Sequence, residues 1–161
     1  MSHIYNWIQN TALQVAAPIL RYSYAIVFIW FGIPKLFPGV SPAEPVAVST
    51  VRELSMGLLS YDAARLAIGL LEVALGLALA VGWMIPLFSL LSILHLIGTF
   101  IPLVMFPSET WMSFGVGTLT GQYILKNIVL IAGLIALIAL YSPAARKASR
   151  NVSLDRALPP Q

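Results

Sequence analysis

The chain has 161 residues, of which 59% are hydrophobic and 9% charged, with a formal net charge of +3 and a mean hydropathy of +0.88. A soluble domain carries about a quarter charged residues, so this chain cannot cover a water-exposed surface and must use lipid as a solvent. The absence of cysteine excludes disulfides, thiol redox chemistry and thiolate metal sites. Two histidines alone cannot hold a structural zinc, and no glycine-rich phosphate loop or basic helix supports binding of nucleotides or nucleic acid.

Four apolar segments follow one another along the chain, each long enough to cross ~30 Å of hydrocarbon as a helix. They run over about residues 16–37, 63–84, 86–106 and 123–141. No basic region precedes the first segment, and its apolar run is too long for a cleaved signal peptide. The sequence therefore predicts an all-α, polytopic membrane protein. We expect a single membrane domain over residues 1–161, built as a four-transmembrane-helix bundle with short interfacial helices.

Two amphipathic stretches are predicted to lie at the membrane surface. Residues 4–15 place several apolar side chains near one helical face, and residues 51–58 repeat this pattern in the first long loop. The letters SPAE, from Ser41 to Glu44, resemble a capping box at the start of the second of these helices. A start nearer Pro45 is an equal alternative, because proline restrains the residue before it.

The distribution of basic residues predicts the orientation. The tail, residues 142–161, is basic, whereas the loop over residues 107–122 holds Glu109 and no basic residue. The basic residues of the tail are Arg146, Lys147, Arg150 and Arg156. By the positive-inside rule, we expect both termini in the cytoplasm of a bacterial inner membrane. Trp111 and Phe114 suit the headgroup belt on the other side.

A carboxylate, Glu72, stands in the middle of the second apolar segment. It shares one helical face with small and polar residues, which recur at steps of three or four. These are Arg65, Gly69, Gly76, Ala80 and Trp83. Because small residues let helices approach closely, Glu72 is predicted to face a bundle interior rather than lipid.

The other three segments each carry a polar stripe as well. The stripe of the first segment runs from Arg21 to Lys35, and the third and fourth segments contribute His95, and Lys126 with Asn127. At ~1.5 Å per residue, we place Glu72 about 4–5 Å and Lys126 about 9 Å to the outer side of the midplane. We therefore predict that Lys126 pairs with Glu72, with Lys35 as second choice and Arg21 too distant.

Structural and functional interpretations of these charges remain open at this point. A buried pair can pin helices in register without chemistry, His95 can bond to a neighbouring helix, and Arg21 or Lys35 can snorkel to the headgroups. Alternatively, acid, imidazole and amines converge on a cavity, with Trp30 among the aromatic residues lining an apolar cleft. An apolar slot with a few polar groups suits a lipid-soluble head group such as a quinone.

Three stretches resemble the DoxX-like, or DoxD, family of small four-helix membrane proteins. They are Arg21 with the following FIWFGIPKLFPGVSPAEP, LLEVALGLALAVG, and GQYILKNIVLIAGLIAL. The Pro-Gly loop followed by an amphipathic stretch is similar to a branch that includes a reactive-chlorine-resistance protein. The resemblance implies a four-helix bundle, and carries over Arg21, Lys35, Glu72, Lys126 and Asn127 as matching polar residues. Members of the family include subunits of thiosulfate:quinone oxidoreductase and proteins associated with redox-stress resistance.

The leading hypothesis is a membrane subunit of a quinone-linked redox system, at most one part of an oxidoreductase. In this hypothesis Glu72 exchanges a proton, while Lys126, Lys35 or His95 donates a hydrogen bond to a quinone carbonyl. The other expected site residues are Asn127, Arg21 and Trp30. We expect no metal in the site. We expect a partner subunit or a homo-oligomer, because no redox centre is visible in the sequence. The alternatives are a non-catalytic accessory or assembly subunit, and a small-solute or proton pathway through the same charges.

Overall fold

The computed structural model describes residues 2–143, and side chains from Ile4 onwards. Within this range the chain forms eight helices and one two-stranded hairpin. In order these are α1 Ser2–Lys35, α2 Glu44–Leu54, α3 Tyr61–Val81, α4 Ile85–Gly98, α5 Pro102–Met105, α6 Pro107–Thr110, β1 Trp111–Ser113, β2 Val116–Gly117, α7 Leu119–Leu125 and α8 Asn127–Leu140. The basic residues of the predicted tail, and with them the residues that carry the orientation, lie outside the described residues.

Four helical stretches are long and apolar enough to cross a membrane, which confirms the predicted fold class. They are Ile4–Lys35, Tyr61–Val81, Ile85–Met105 and Leu119–Leu140. The chain is therefore a multi-pass helical membrane protein whose apolar helices contact the bilayer. We call the side that carries α2 and the β-hairpin the loop side, and the side that carries the α3–α4 connection the turn side.

The first span differs from the prediction. Residues 4–15 do not form a separate surface helix, because α1 is one helix of 34 residues from Ser2 to Lys35. It is about 51 Å long, more than the hydrocarbon core of a bilayer requires. No glycine or proline precedes Pro18 to end the helix, and a proline inside a membrane helix is tolerated.

The predicted amphipathic helix in the first loop is α2, which ends at Leu54, so Leu58 of the predicted stripe lies beyond it. The predicted start nearer Pro45 is confirmed, since the helix begins at Glu44, whereas the predicted capping box is wrong. Ala43 occupies the N-cap position and makes no side-chain bond. The Glu44 carboxylate accepts a hydrogen bond from the Gly39 amide at 3.1 Å, and not from the amide of Ser41. The fully buried Val48 packs with residues of α3, so α2 covers the loop-side end of that helix.

Two of the spans are interrupted rather than continuous. The third divides into α4 and α5 around Thr99, just before Pro102, and the fourth divides into α7 and α8 at Lys126. Pro102 lacks the amide hydrogen that would continue the α-helical pattern. The two interruptions lie side by side, because the Asn127 side-chain amide donates to the Thr99 hydroxyl at 2.9 Å.

The most extensive contact between spans joins α1 to α3. At Gly76 an added Cβ would lie 2.7 Å from Ile29 Cγ1 and 2.9 Å from the Ala25 carbonyl oxygen. Gly32 and Gly69 sit at the same interface and are similarly crowded. The small-residue face predicted for α3 therefore faces α1, and it brings the residues of both helices into direct contact.

Candidate functional site

Three ionisable side chains from three different spans meet inside the bundle. The Lys35 ammonium at the end of α1 lies 2.6 Å from Glu72 Oε2 on α3. The other oxygen, Oε1, lies 3.1 Å from His95 Nε2 on α4. The three side chains are 4%, 9% and 13% exposed, respectively. We call Lys35, Glu72 and His95 the buried triad, and His95 is its most accessible member.

The glycine interface explains why Lys35 reaches Glu72. An added Cβ on Gly69 would lie 3.1 Å from Lys35 Cβ, which shows how closely α1 and α3 approach on the loop side of the ion pair. The Lys35 ammonium also donates to the Phe31 carbonyl oxygen at 2.9 Å. A charge held in a bundle interior requires partners of this kind, because burial without them is costly.

Arg65 supports the triad from the loop side. Its side chain is nearly as buried as that of Lys35, and Nη1 donates to the Lys35 carbonyl oxygen at 2.7 Å. The same guanidinium contacts the exposed Asp62 carboxylate at 3.1 Å. Arg65 is predicted to share a helical face with Glu72, but the sequence predicts no role for it. Its position two helical turns before Glu72 is the signal that points to a supporting contact.

His95 is held against apolar surroundings. Its ring lies 6.1 Å from that of Phe28, centroid to centroid. Thr99, one turn further on, donates through its hydroxyl to the Leu96 carbonyl oxygen and accepts from Asn127. With a neutral imidazole, the contact with Glu72 requires the proton on Nε2, because a carboxylate only accepts. Thus each Glu72 oxygen can accept one hydrogen bond, one from an amine and one from an imidazole.

The prediction that Lys126 pairs with Glu72 is wrong, and the second choice, Lys35, is confirmed. Lys126 makes no ion pair within the described residues, and its ammonium lies 4.6 Å from the ring centroids of both Phe31 and Tyr123. The physical reason is packing: α3 contacts α1 and α4, whereas α8 packs mainly on α4. The Lys126 ammonium therefore lies against Phe31 of α1, on the outside of the bundle, and does not pair with the Glu72 carboxylate.

The surroundings of Lys126 leave its charge incompletely compensated. A cleft of about 220 Å³ borders it, lined also by Leu119, Gln122 and Tyr123. A lysine at the centre of a membrane helix costs ~2.5–3.5 kcal/mol on insertion scales. A cation–π contact stabilises such a charge by ~0.5–2 kcal/mol, depending on solvent exposure.

Asn127, Arg21 and Trp30 do not join the triad. Asn127 holds the two helix interruptions together through Thr99. Arg21 lies near the turn side, against Gly82, with its guanidinium carbon 4.4 Å from the centroid of the Tyr22 ring. Trp30 is 74% exposed and points away from the bundle. The prediction that Trp30 lines an internal cleft is therefore wrong, because its helical position turns it towards lipid.

The chemistry available to the triad is proton exchange. A carboxylate, an imidazole and an amine within hydrogen-bonding distance can pass a proton from one group to the next. Among the described residues no cluster of three or more His, Asp or Glu side chains could hold a metal ion. The position of the three groups in a bundle interior makes this a candidate functional site, since intramembrane ionisable residues commonly mark proton or substrate sites.

A protein-family model described as DoxX matches residues 16–106, which is more than half of the chain. The match includes all three residues of the triad and Arg21, and it ends before Lys126 and Asn127. It therefore does not extend to the fourth span, where the resemblance was also drawn. Neither the curated proteins nor the solved structures include a significant match to the chain.

Proposed function

The chain belongs to the DoxX family of membrane proteins, and we propose that it is an integral subunit of a quinone-linked redox or redox-stress-resistance system. We place it in a bacterial inner membrane with both termini in the cytoplasm, on the strength of its basic tail. The observation that carries the proposal is the buried triad, in which one carboxylate contacts both an amine and an imidazole.

Two features of the triad support a quinone head group as its ligand. His95 is the most exposed of the three side chains and stands next to the apolar ring of Phe28. Reducing a quinone to a quinol requires two electrons and two protons. His95 would deliver its Nδ1 proton to a carbonyl oxygen at this edge of the triad while Nε2 takes the proton of a protonated Glu72, and Lys35 would stabilise the carboxylate left behind. Reprotonation of Glu72 from water and a second transfer of the same kind would supply the second proton.

The electrons come from a partner subunit. The chain has no cysteine, so a dithiol relay within it is excluded. In this proposal the membrane chain exchanges protons, and its partner oxidises the electron donor. Lys126 has no part in the proton step, because it does not contact the triad.

The test is the amount of quinone that co-purifies with the chain in its native lipids, measured by solvent extraction and chromatography. The variants are His95→Gln, which removes the ionisable imidazole, and Ser89→Ala on the same helix as the control. Ser89→Ala removes a buried hydroxyl that has no hydrogen-bond partner among residues 2–143. We expect bound quinone above the level of the bulk lipid in the parent and in Ser89→Ala, and a clear loss in His95→Gln.

Two outcomes contradict the proposal. Quinone at the bulk-lipid level in the parent excludes a head-group site, and a stoichiometric partner without quinone then favours an accessory or assembly subunit. Equal quinone in the parent and in His95→Gln excludes the triad as the site.

A separate measurement addresses the remaining alternative. Proton uptake by proteoliposomes that contain the chain alone favours a proton pathway through the same residues.

A further inference from the structure

Lys126 presents a cation on the outside of the bundle. It lies on the Leu119–Leu140 span, which is the most apolar of the four. Its side chain is exposed, and it pairs with no carboxylate among the described residues. A cation at this position faces lipid rather than water, so it requires an anion from outside the chain.

The depth of Lys126 determines which anion can reach it. Lys126 is seven residues from Leu119, or about 10 Å along the helix from the loop-side end of the span. Side chains of a helix point back towards its N-terminus, which here is the loop side, and a lysine stem extends in that direction. Its ammonium therefore lies just below the headgroups of the loop-side leaflet, where the nearest anions are lipid phosphates.

The surroundings of the ammonium form a partial binding site. Phe31 and Tyr123 hold it at 4.6 Å from each ring centroid, and the adjacent cleft opens between Leu119 and Gln122. The Tyr123 hydroxyl makes no hydrogen bond within the described residues, so it is available as a donor. The two rings compensate only part of the free-energy cost of the charge. The open cleft leaves one side of the ammonium accessible to a ligand.

We propose that Lys126, Phe31 and Tyr123 bind the phosphodiester head group of an anionic phospholipid in the loop-side leaflet. The ammonium pairs with the phosphate, the Tyr123 hydroxyl donates to it, and an acyl chain lies along the apolar surface of α8. The lipid is anionic rather than zwitterionic because a choline group would bring a second cation towards Lys126. This site is independent of the proposed quinone chemistry, since Lys126 does not contact the triad.

The experiment is a lipid titration of the purified full-length protein, followed by native mass spectrometry. The probes are phosphatidylglycerol, phosphatidylcholine and inorganic phosphate, and the variants are Lys126→Gln, Lys126→Arg and Arg52→Gln. Arg52 is an exposed cation on α2, so Arg52→Gln removes the same charge elsewhere on the loop side. Helical content by circular dichroism shows that each variant is folded.

We expect Lys126→Gln to weaken binding of the first phosphatidylglycerol about fivefold, the effect of one lysine near an anionic surface. Lys126→Arg and Arg52→Gln should bind as the parent does. Equal loss in Arg52→Gln, or no loss in Lys126→Gln, overturns the site. Equal binding of phosphatidylcholine overturns the choice of an anionic lipid, and displacement by inorganic phosphate makes free phosphate the ligand. If Lys126→Gln does not fold, a failure of the folded Tyr123→Ala to weaken binding overturns the proposal.

Discussion

Lys35 and Glu72 form a buried ion pair that joins the end of the first span to the middle of the second, with 2.6 Å between ammonium and carboxylate. Each residue also contacts a third group, the Phe31 carbonyl oxygen for Lys35 and the His95 imidazole for Glu72. The pair thus belongs to a network and does not stand alone in an apolar interior.

The ion pair predicts a specific pattern of stabilities. Lys35→Met leaves a buried carboxylate without its amine, and Glu72→Gln leaves a buried amine without its carboxylate. Each single variant should lose ~3–5 kcal/mol of unfolding free energy, and the double variant should recover much of that loss. Thermal and denaturant unfolding in detergent measures all three. Losses that simply add in the double variant would contradict a direct pair.

The glycine interface predicts opposite results at two glycines of the spans. Gly76→Ala places a methyl group 2.7 Å from Ile29 Cγ1, and overpacking of this kind costs ~1–3 kcal/mol. Gly98→Ala meets no atom within 4 Å and should be neutral or gain up to ~1 kcal/mol, because alanine favours the helix. Unfolding in detergent provides the comparison. A stable Gly76→Ala would mean that α1 and α3 do not pack through this face.

Arg65 predicts a role in holding Lys35. Arg65→Met removes the hydrogen bond to the Lys35 carbonyl oxygen, measured at 2.7 Å, and leaves that acceptor unpaired at a cost of ~1–3 kcal/mol. Asp62→Asn is the matched control, because the Asp62 side chain is 73% exposed and an exposed ion pair contributes ~0–1 kcal/mol. If both variants lose the same stability, Arg65 acts only through its surface ion pair.

The bond between Asn127 and Thr99 predicts a modest coupling between the two helix interruptions. A double-mutant cycle with Asn127→Leu and Thr99→Val should give about 0.6 kcal/mol, the average for side-chain hydrogen bonds between membrane helices. Unfolding of the two single variants and the double variant supplies the cycle. A coupling energy of zero would show that the interruptions are set separately, by Pro102 and by the sequence around Lys126.

The proposed orientation can be checked with single cysteines, because the natural chain has none. Cysteine at Ser108, on the loop side, should react with an impermeant reagent from outside intact cells. Cysteine at Asn151 should react only after the membrane is opened. Labelling of both positions from the same side would contradict the span Leu119–Leu140 between them, and labelling from the reversed sides would contradict the orientation.

Much of the fold follows from periodicity, and the errors have local causes. The four spans and the inward face of Glu72 are determined by apolar length and by glycine spacing, both of which are visible in the sequence. Amphipathicity over residues 4–15 predicts a surface helix, whereas these residues are the first part of the long α1. Nothing in the sequence distinguishes this from the extension of a transmembrane helix.

The partner of Glu72 was harder to predict. Depth along the membrane made Lys126 and Lys35 comparable candidates, and depth says nothing about which helix lies beside which. The choice depends on lateral packing, in which the glycines of α1 and α3 hold those two helices together and leave Lys126 on the outer side of Phe31. Similarly, Trp30 lies two residues after the buried Phe28 and therefore on the opposite face of α1, so aromatic character alone does not predict that a residue lines the interior.

The most direct test of the central claim uses the double variant Lys35→Met with Glu72→Gln. Apolar and neutral replacement repairs the packing of the buried pair, whereas it cannot restore a carboxylate that exchanges protons. The measurement is quinone reduction by membranes that contain the variant and its partner proteins, alongside the thermal stability of the purified variant. A proton-exchanging triad predicts a folded double variant, close to the parent in stability, that has lost quinone reduction. A double variant that is both stable and fully active would contradict it, and would leave Glu72 as a charge that only holds helices together.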